Sequence, residues 1–140
     1  MVARMLYRLT GAILLLAANT CIATRAETVE GTAQGETGKD IRIGVYINIQ
    51  PDCTSGPLPT IRLLTPPAHG KVTVKKGSVD ATNYKQCLAL SVPAYVAFYR
   101  SDKDFLGNDS VVLEVRYQGG KQEAQHIVIT VRGPGTGQPT

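Results

Sequence analysis

The sequence predicts an all-β fold, a sandwich of about seven short strands, and two observations indicate it. Apolar residues alternate with polar residues over several segments, which is the pattern of strands buried on one face. Turns that contain glycine or proline separate these segments at regular spacing, as they do in β-sandwiches. After Ala26, no stretch of the sequence has the apolar spacing of an amphipathic helix.

The segment Met1–Ala26 has the composition of a signal peptide. Arg4 and Arg8 precede the apolar run Gly11–Ala18, and Thr24 and Ala26 occupy the −3 and −1 positions of a cleavage site. Eight apolar residues are too few to cross a bilayer, so no retained membrane span is expected. We therefore expect the mature chain to begin after Ala26 and to be periplasmic or secreted.

Cys21 lies inside this segment and raises an alternative, in which the cysteine is retained and lipidated. Lipoprotein signals place a small residue directly before the cysteine and typically Leu at −3, whereas this chain has Thr20 and Ala18 there. The signal peptide is therefore the favoured interpretation, and Cys21 is expected to be removed with it.

The basic character of the chain comes mostly from the expected signal peptide. The whole sequence has 15 Lys and Arg against 11 Asp and Glu, and Met1–Ala26 holds three of the arginines and no acid, which leaves 12 against 11. Such a balance gives no support for nucleic-acid binding, which needs a clustered basic surface. The densest basic group, Lys71, Lys75 and Lys76, is expected to be a solvated strand end.

Two cysteines remain after Ala26, Cys53 and Cys87, and a pair in an exported chain predicts a disulfide. A redox or metal-binding dithiol is the alternative. Redox motifs favour Cys-x-x-Cys spacing and metal sites need further ligands nearby, and the sequence has neither. We expect a structural disulfide and no cofactor.

The sequence after Ala26 divides into three parts. Residues 27–40 are polar and rich in glycine, and we interpret them as a flexible leader or a weak first strand. Residues 41–132 carry the alternating segments and form the predicted β-sandwich domain. Residues 133–140 contain nothing to bury and are expected to be a disordered tail.

The first alternating segment is the clearest strand. Apolar residues alternate with Arg, Gly, Tyr and Asn over Ile41–Ile49, and Pro51-Asp52 ends the segment. Tyr46 then falls on its polar face. The region Val79–Leu90 has no clear pattern, and Pro93 indicates an edge or a first position for its strand. The other strands are predicted at Pro59–Leu64, at Val72–Val74 with an end at Lys76-Gly77, and at Val92–Arg100, Val111–Tyr117 and Ile127–Val131.

The last two strands predict a hairpin of defined register. A two-residue loop at Gly119-Gly120 would turn the apolar faces of the two strands in opposite directions. A three-residue loop, Gln118–Gly120, pairs Val111 with Ile127 and suits a glycine in the left-handed conformation at its end. It places on one face Val111, Leu113, Val115, Ile127, Ile129 and Val131.

Three segments in order carry a family resemblance: Pro67–Val72 (PAHGKV), Tyr99, and Asp104–Val111 (DFLGNDSV). Together they resemble the framework of bacterial immunoglobulin-like, cadherin-like repeat domains, here in a single copy. The resemblance spans about half the chain and implies an Ig-like antiparallel β-sandwich of the kind found in adhesins and envelope proteins. Two features depart from the family: Ser101 stands where Pro is usual, and Cys53 and Cys87 are not part of the usual repeat.

The Asp104–Val111 segment also suggests roles for individual residues. Phe105 is expected to plug one end of the sandwich, Gly107 to adopt a positive φ, and Asp109 to cap the turn through backbone N–H groups. As a calcium loop, the segment offers Asp102, Asp104 and Asp109. It lacks the further oxygen ligands of a calcium loop, because Leu106 and Leu113 occupy ligand positions. A solvated turn is favoured, and no metal is expected.

Candidates for catalysis are few. The histidines, His69 and His126, are both expected on the surface, His126 on the strand face opposite Ile127. No Gly-x-Ser-x-Gly elbow accompanies them, so we expect no catalytic residues and no enzyme. Tyr46 is a candidate contact aromatic for a glycan or a protein, although outward tyrosines more often fill cross-strand pairs.

The sequence therefore predicts an exported, non-catalytic, Ig-like binding or structural module of the cell envelope. It would engage an unidentified protein or envelope component through a strand edge or a loop surface, a role that depends on analogy of fold. The alternative is an accessory or inhibitor-like subunit of an exported complex. An enzyme ranks third.

Overall fold

Seven strands form two sheets in the structure, a computed structural model that describes residues 26–135 except the side chains of residues 83 and 84. The predicted all-β sandwich is confirmed. The signal peptide, Cys21 and the last five residues of the tail lie outside the described residues. The strands are β1 Glu27–Glu36, β2 Asp40–Tyr46, β3 Thr60–Thr65, β4 Gly70–Tyr84, β5 Cys87–Ser101, β6 Gly107–Arg116 and β7 Gln122–Arg132.

The strand order is that of an immunoglobulin-like sandwich. One sheet has the order β1-β7-β6-β3 and the other the order β2-β5-β4. In Ig domains the second, fifth and fourth strands likewise form one sheet, and the third, sixth and seventh form the other. The first strand here joins the seventh strand, and the two run parallel. All other strand pairs are antiparallel.

The expectation of a flexible leader over residues 27–40 is wrong. Glu27–Glu36 is a ten-residue strand, β1, paired with β7 from Glu27↔Glu123 to Glu36↔Arg132. The expectation that the sandwich is wholly antiparallel fails at this pair. The segment lacks an apolar pattern because backbone pairing with β7, and not burial of side chains, holds it in place; Ala33 alone packs against the core.

The β6–β7 hairpin has the predicted register. Val111 pairs with Ile127, and the N–H of Tyr117 donates to Lys121 O at 2.9 Å, which leaves a three-residue loop. The loop ends at Gly120, whose φ is +94°. The predicted apolar face lies in the core, which comprises Ile41, Tyr46, Ala97, Tyr99, Val111, Leu113, Val115, Ile127, Ile129 and Val131.

A register shift between Arg42 and Gly44 divides β2, and the predicted strand over Ile41–Ile49 ends early, at Tyr46. Past an inserted residue the side chains exchange faces. Tyr46 therefore points into the core while Val45 is 41% exposed. Gly44 permits this arrangement, since a Cβ there would lie 2.7 Å from Cζ of Tyr46.

The hairpin of β4 and β5 is longer than predicted. The third strand was expected to end at Lys76-Gly77, but β4 continues to Tyr84 and turns at Lys85, whose φ is +53°. Pro93 lies in β5 opposite Ser78, in the part of the strand beyond the last β2 pair, Tyr46↔Tyr95. Because β2 does not extend to this position, the missing N–H of Pro93 costs no hydrogen bond between β5 and β2. This agrees with the expected edge position.

The predicted disulfide is confirmed. Cys53 and Cys87 are joined with an S–S distance of 2.05 Å and a Cα–Cα distance of 5.6 Å. Cys87 begins β5 and is buried, and Cys53 lies in the connection between β2 and β3. The bond therefore ties the far end of the β4–β5 hairpin to the connection that crosses between the sheets.

Removal of the disulfide tests its contribution to stability. The double variant Cys53→Ser/Cys87→Ser should lose about 3–4 kcal/mol of unfolding free energy, because the bond joins positions separated by 34 in sequence and so closes a loop in the unfolded chain. Urea unfolding of the oxidised protein and of the variant measures this loss. A reductant should destabilise the wild type and leave the variant unchanged. A loss below about 1 kcal/mol would contradict a structural role for the bond.

Candidate functional site

Asp109 is the centre of a buried hydrogen-bond network that connects the two sheets. Its side chain is 7% exposed. Oδ1 accepts the N–H groups of Ala68 at 3.0 Å and Ser110 at 2.9 Å. Oδ2 accepts the N–H of His69 at 2.8 Å and the hydroxyl of Tyr99 at 2.9 Å. Asp109 thus caps the turn before β4, whereas the sequence suggested a cap within its own Asp104–Val111 segment, and both of its oxygens are engaged.

The network keeps the Asp109 carboxyl ionised. Burial raises the pKa of this group, but hydrogen bonds from His69, Ala68, Tyr99 and Ser110 outweigh burial and hold the pKa below its ordinary value of 3.8. Burial, reinforced by the Asp109 carboxylate, raises the pKa of the Tyr99 hydroxyl. The pair therefore consists of a neutral phenol that donates to an anion.

The calcium candidates do not form a ligand set. Asp102 and Asp104 are exposed, whereas the oxygens of Asp109 accept four hydrogen bonds within the protein. Over residues 26–135, no group of three or more His, Cys, Asp or Glu side chains is arranged to hold a metal ion. Phe105 packs against the end of the core, and Gly107 has a φ of +127°, as expected.

The two histidines line one open groove of about 410 Å³ on the same side of the molecule. The ring of His69 is exposed and stacks on Phe105 with 4.3 Å between centroids. Nδ1 of His126 lies 2.7 Å from Oε2 of Glu30 on β1. Within the described chain, no hydrogen bond joins either imidazole to a serine hydroxyl. The sequence did not indicate that these residues share a groove.

The expectation that Tyr46 is an exposed contact residue is wrong. Its side chain is 3% exposed because the bulge in β2 turns it inward. Its hydroxyl donates to Oε1 of Gln125 on β7 at 2.7 Å. Burial, with smaller contributions from Tyr117 and Glu123, raises the pKa of Tyr46 to about 12. Tyr46 therefore joins the sheets from inside and presents no surface to a ligand.

β4 is the longest of the four strands that border the sheets in the described chain. β4 has 15 residues, lies at the border of its sheet, and pairs with β5 without any register shift. The N–H of Asp102 donates to His69 O at 2.8 Å, which identifies the residues of β4 that bond to β5. By the antiparallel pattern these are Lys71, Thr73, Lys75 and Gly77.

The alternate residues of β4 direct their N–H and C=O groups away from β5. No other strand within residues 26–135 covers them. We call this row of backbone groups, together with the side chains of residues 71–78, the β4 edge. The outward backbone groups belong to Val72, Val74, Lys76 and Ser78.

The side chains of the β4 edge form two rows of different chemistry. On the inner row, Val72 packs against the core, Val74 is 40% exposed, and Lys76 follows as an exposed cation opposite Tyr95. Val74 borders an open groove of about 290 Å³ between β4 and β3, which is lined also by Leu58, Pro59, Thr60, Ile61 and Tyr95. The neighbouring Leu63 and Leu64 of β3 are 44% and 46% exposed.

The outer row is cationic. Lys71 lies opposite Arg100, and Lys75 lies opposite Val96. The Asp40 carboxylate forms ion pairs with two cations of this surface. Its Oδ1 accepts a hydrogen bond from Arg100 Nε at 2.9 Å, and its Oδ2 lies 3.8 Å from Lys75 Nζ. Lys75 also lies 5.3 Å from the centroid of the Phe98 ring. One carboxylate thus serves two cations, and Lys71 forms no ion pair within residues 26–135.

On the opposite side of the sandwich, β1 and β2 border their sheets and are shorter than β4, with 10 and 7 residues. β1 and β2 are joined by a short turn, and the N–H of Gly38 in this turn donates to Oγ of Ser101 on β5 at 3.0 Å. The edge of β3 is six residues long and is interrupted by a register shift at Leu63/Thr65. The β4 edge is therefore longer and more regular than the β3 edge on the same side of the sandwich.

Sequence reasoning missed this edge. It placed Lys71, Lys75 and Lys76 at a solvated strand end, whereas only Lys71 lies near an end of β4 and Lys75 and Lys76 lie in its middle. The alternation of Lys71, Thr73 and Lys75 with Val72 and Val74 was the available signal, because it gives the two rows directly.

Comparison with known proteins does not extend this description. No family model matches the chain, and no curated protein matches it. Among solved structures, the solution structure of amebosin is similar over 77% of this chain and 99% of that chain, at 13% sequence identity and a TM-score of 0.44. Within residues 26–135, no helix has the length and apolar character that a membrane crossing requires.

Variants at the Asp109 network test its role in stability. Asp109→Asn places an amide donor against backbone donors, so unfolding free energy at neutral pH should fall by about 2–4 kcal/mol. Tyr99→Phe removes one donor and should cost about 1–2 kcal/mol. Urea unfolding monitored by tyrosine fluorescence measures both changes. An effect of Asp109→Asn within about 0.5 kcal/mol would contradict the network's importance.

The pH dependence of the same measurement follows from the lowered pKa of Asp109. Because this pKa lies lower in the folded than in the unfolded chain, its contribution to stability is present above the ordinary value of 3.8 and is lost as pH falls through the folded pKa. The stability of Asp109→Asn should therefore fall less steeply on acidification than that of the wild type. Parallel curves for the two proteins would exclude Asp109 as a source of acid sensitivity.

Proposed function

We propose that this chain is an exported, non-catalytic binding module that pairs the β4 edge with an extended segment of another envelope or extracellular protein. The observation that carries the proposal is the uncovered backbone row at Val72, Val74, Lys76 and Ser78. Adding a strand to such an edge gives affinity through main-chain hydrogen bonds, and the adjacent side-chain rows give specificity.

Two features support a binding role for an edge that would otherwise be a liability. Exposed, regular edge strands invite uncontrolled pairing, and proteins commonly shorten, bulge or cover them or place lysines on them; of these devices β4 has only the lysines. β3 is short and bulged, whereas β4 keeps an unbroken register over its full length. Its two ends are also held, one by Asp109 at the preceding turn and the other by the Cys53–Cys87 disulfide. An edge fixed in this way loses little conformational entropy on binding.

Export is the second component of the proposal. The segment Met1–Ala26 has signal-peptide composition. An intramolecular disulfide is typical of oxidising compartments outside the cytoplasm. The resemblance of Pro67–Val72 and Asp104–Val111 to bacterial Ig-like repeat domains supports the same location in the cell envelope.

The proposal predicts that peptides selected from a displayed random library will bind the β4 edge. The library should contain segments about ten residues long, the upper range of strand lengths. In NMR hydrogen-exchange experiments, bound peptide should slow the exchange of the amides of Val72, Val74, Lys76 and Ser78. Protection confined to loops, or failure to select any peptide, would contradict the proposal.

A matched pair of variants makes the test specific to the backbone. Lys76→Pro removes one outward N–H without removing a bond to β5, so the fold should persist and peptide affinity should fall by about tenfold or more. Lys76→Ala keeps the N–H and should bind within about threefold of the wild type. If Lys76→Pro does not fold, the peptide carries the test instead. Methylating its amides that face β4 should abolish binding, and methylating the alternate amides should not. Strand addition would be contradicted if Lys76→Pro and Lys76→Ala had equal effects on affinity, or if the two methylated peptides did.

A further inference from the structure

We infer that the β4 edge selects a partner segment in which apolar and acidic residues alternate. Apolar side chains would fill the groove between β4 and β3, and carboxylates would lie over Lys71 and Lys75. The inference rests on the proposed function and adds to it the chemical class of the partner.

The inner row requires apolar side chains from the partner. A strand added beside β4 places every second side chain on the inner face, next to Val72 and Val74. That face continues into the groove bordered by Ile61 and Tyr95, both packed against the core. Val74, at the border of this groove, is 40% exposed. Apolar partner residues would remove this surface from water, which is favourable by roughly 25 cal/mol per Å².

The outer row requires acidic side chains. Lys71 and Arg100 are directly opposite each other, and like charges in this arrangement are unfavourable. Asp40 offsets only part of the charge, because it is shared by Arg100 and Lys75. A carboxylate on the added strand would lie next to Lys71 or Lys75 and relieve the repulsion. Since inner and outer positions alternate along a strand, the partner sequence alternates apolar and acidic residues.

The same lysines disfavour pairing of β4 with β4 of a second copy. An antiparallel pair centred on Thr73 would place Lys71 of each copy opposite Lys75 of the other. Like charges directly opposite destabilise such a pair, and lysines on an edge are a common protection against self-association. The occupant that the charges favour is therefore a segment of a different, acidic protein.

Three synthetic peptides about ten residues long test the inference. All carry Val at alternate positions, and the positions between are Glu in the first, Ser in the second and Lys in the third. The Glu peptide should bind the folded, oxidised protein about tenfold more tightly than the Ser peptide, and the Lys peptide should bind more weakly than both. The advantage of the Glu peptide over the Ser peptide should shrink as NaCl rises from about 50 mM to about 300 mM, because salt screens exposed charge pairs.

Charge reversal on the protein provides the matched control. Lys71→Glu/Lys75→Glu should transfer the preference from the Glu peptide to the Lys peptide. Lys121→Glu/Arg132→Glu changes the net charge equally at exposed positions at the two ends of β7, in the other sheet, and it should leave the order of the peptides unchanged. Equal shifts in both double variants would show an effect of net charge alone and would overturn the inference.

The remaining outcomes separate this inference from the proposed function. If all three peptides protect the outward amides of β4 with equal affinity, the acidic preference is overturned and strand addition stands. If none protects these amides and the random library also yields no binder, both fail. If sedimentation shows self-association that Lys76→Pro abolishes, the edge belongs to a second copy and the inference is overturned.

Discussion

The unbroken antiparallel pairing of β4 with β5 is the constraint on which the rest of the account depends. Because the register holds from Gly70↔Ser101 to Tyr84↔Cys87, it decides which backbone groups of β4 are bonded and which remain open. It also assigns Lys71 and Lys75 to the outer row and Val72 and Val74 to the inner row, which Lys76 continues. A shift by one residue would exchange these rows and remove the chemical distinction between the two faces.

The two ends of this hairpin are fixed by different chemistry. Near Gly70, the Asp109 carboxylate accepts backbone donors of the preceding turn and the hydroxyl of Tyr99, which joins β6 to β5. At the far end, Cys87 is bonded to Cys53. An ionised buried carboxylate and a covalent bond both resist local opening, so the edge between them stays in place without a covering strand. Such an arrangement suits a surface that accepts a strand, since the ordering entropy is lost on folding and not on binding.

The parts of the fold that could be predicted from sequence were those in which turn chemistry and apolar alternation agree. The β6–β7 hairpin is one, because only one loop length puts Val111 and Ile127 on the same face. β1 could not be predicted as a firm strand, because its stability comes from pairing with a strand near the other end of the sequence. Tyr46 was misplaced because Gly44, the local signal of the β2 bulge, was counted as a polar-face residue of an unbroken strand. The candidate site was missed since it depends on which strands border the sheets, a property of topology and not of residue pattern.

Hydrogen exchange of the free protein, measured by NMR for each amide of β4, tests this account most directly. The pairing of β4 with β5 predicts alternation: slow exchange at Lys71, Thr73 and Lys75, which bond to β5, and fast exchange at the open residues between them. Uniformly slow exchange along the strand would mean that the edge is already covered. Uniformly fast exchange would mean that the pairing with β5 does not hold, and either result would contradict the account.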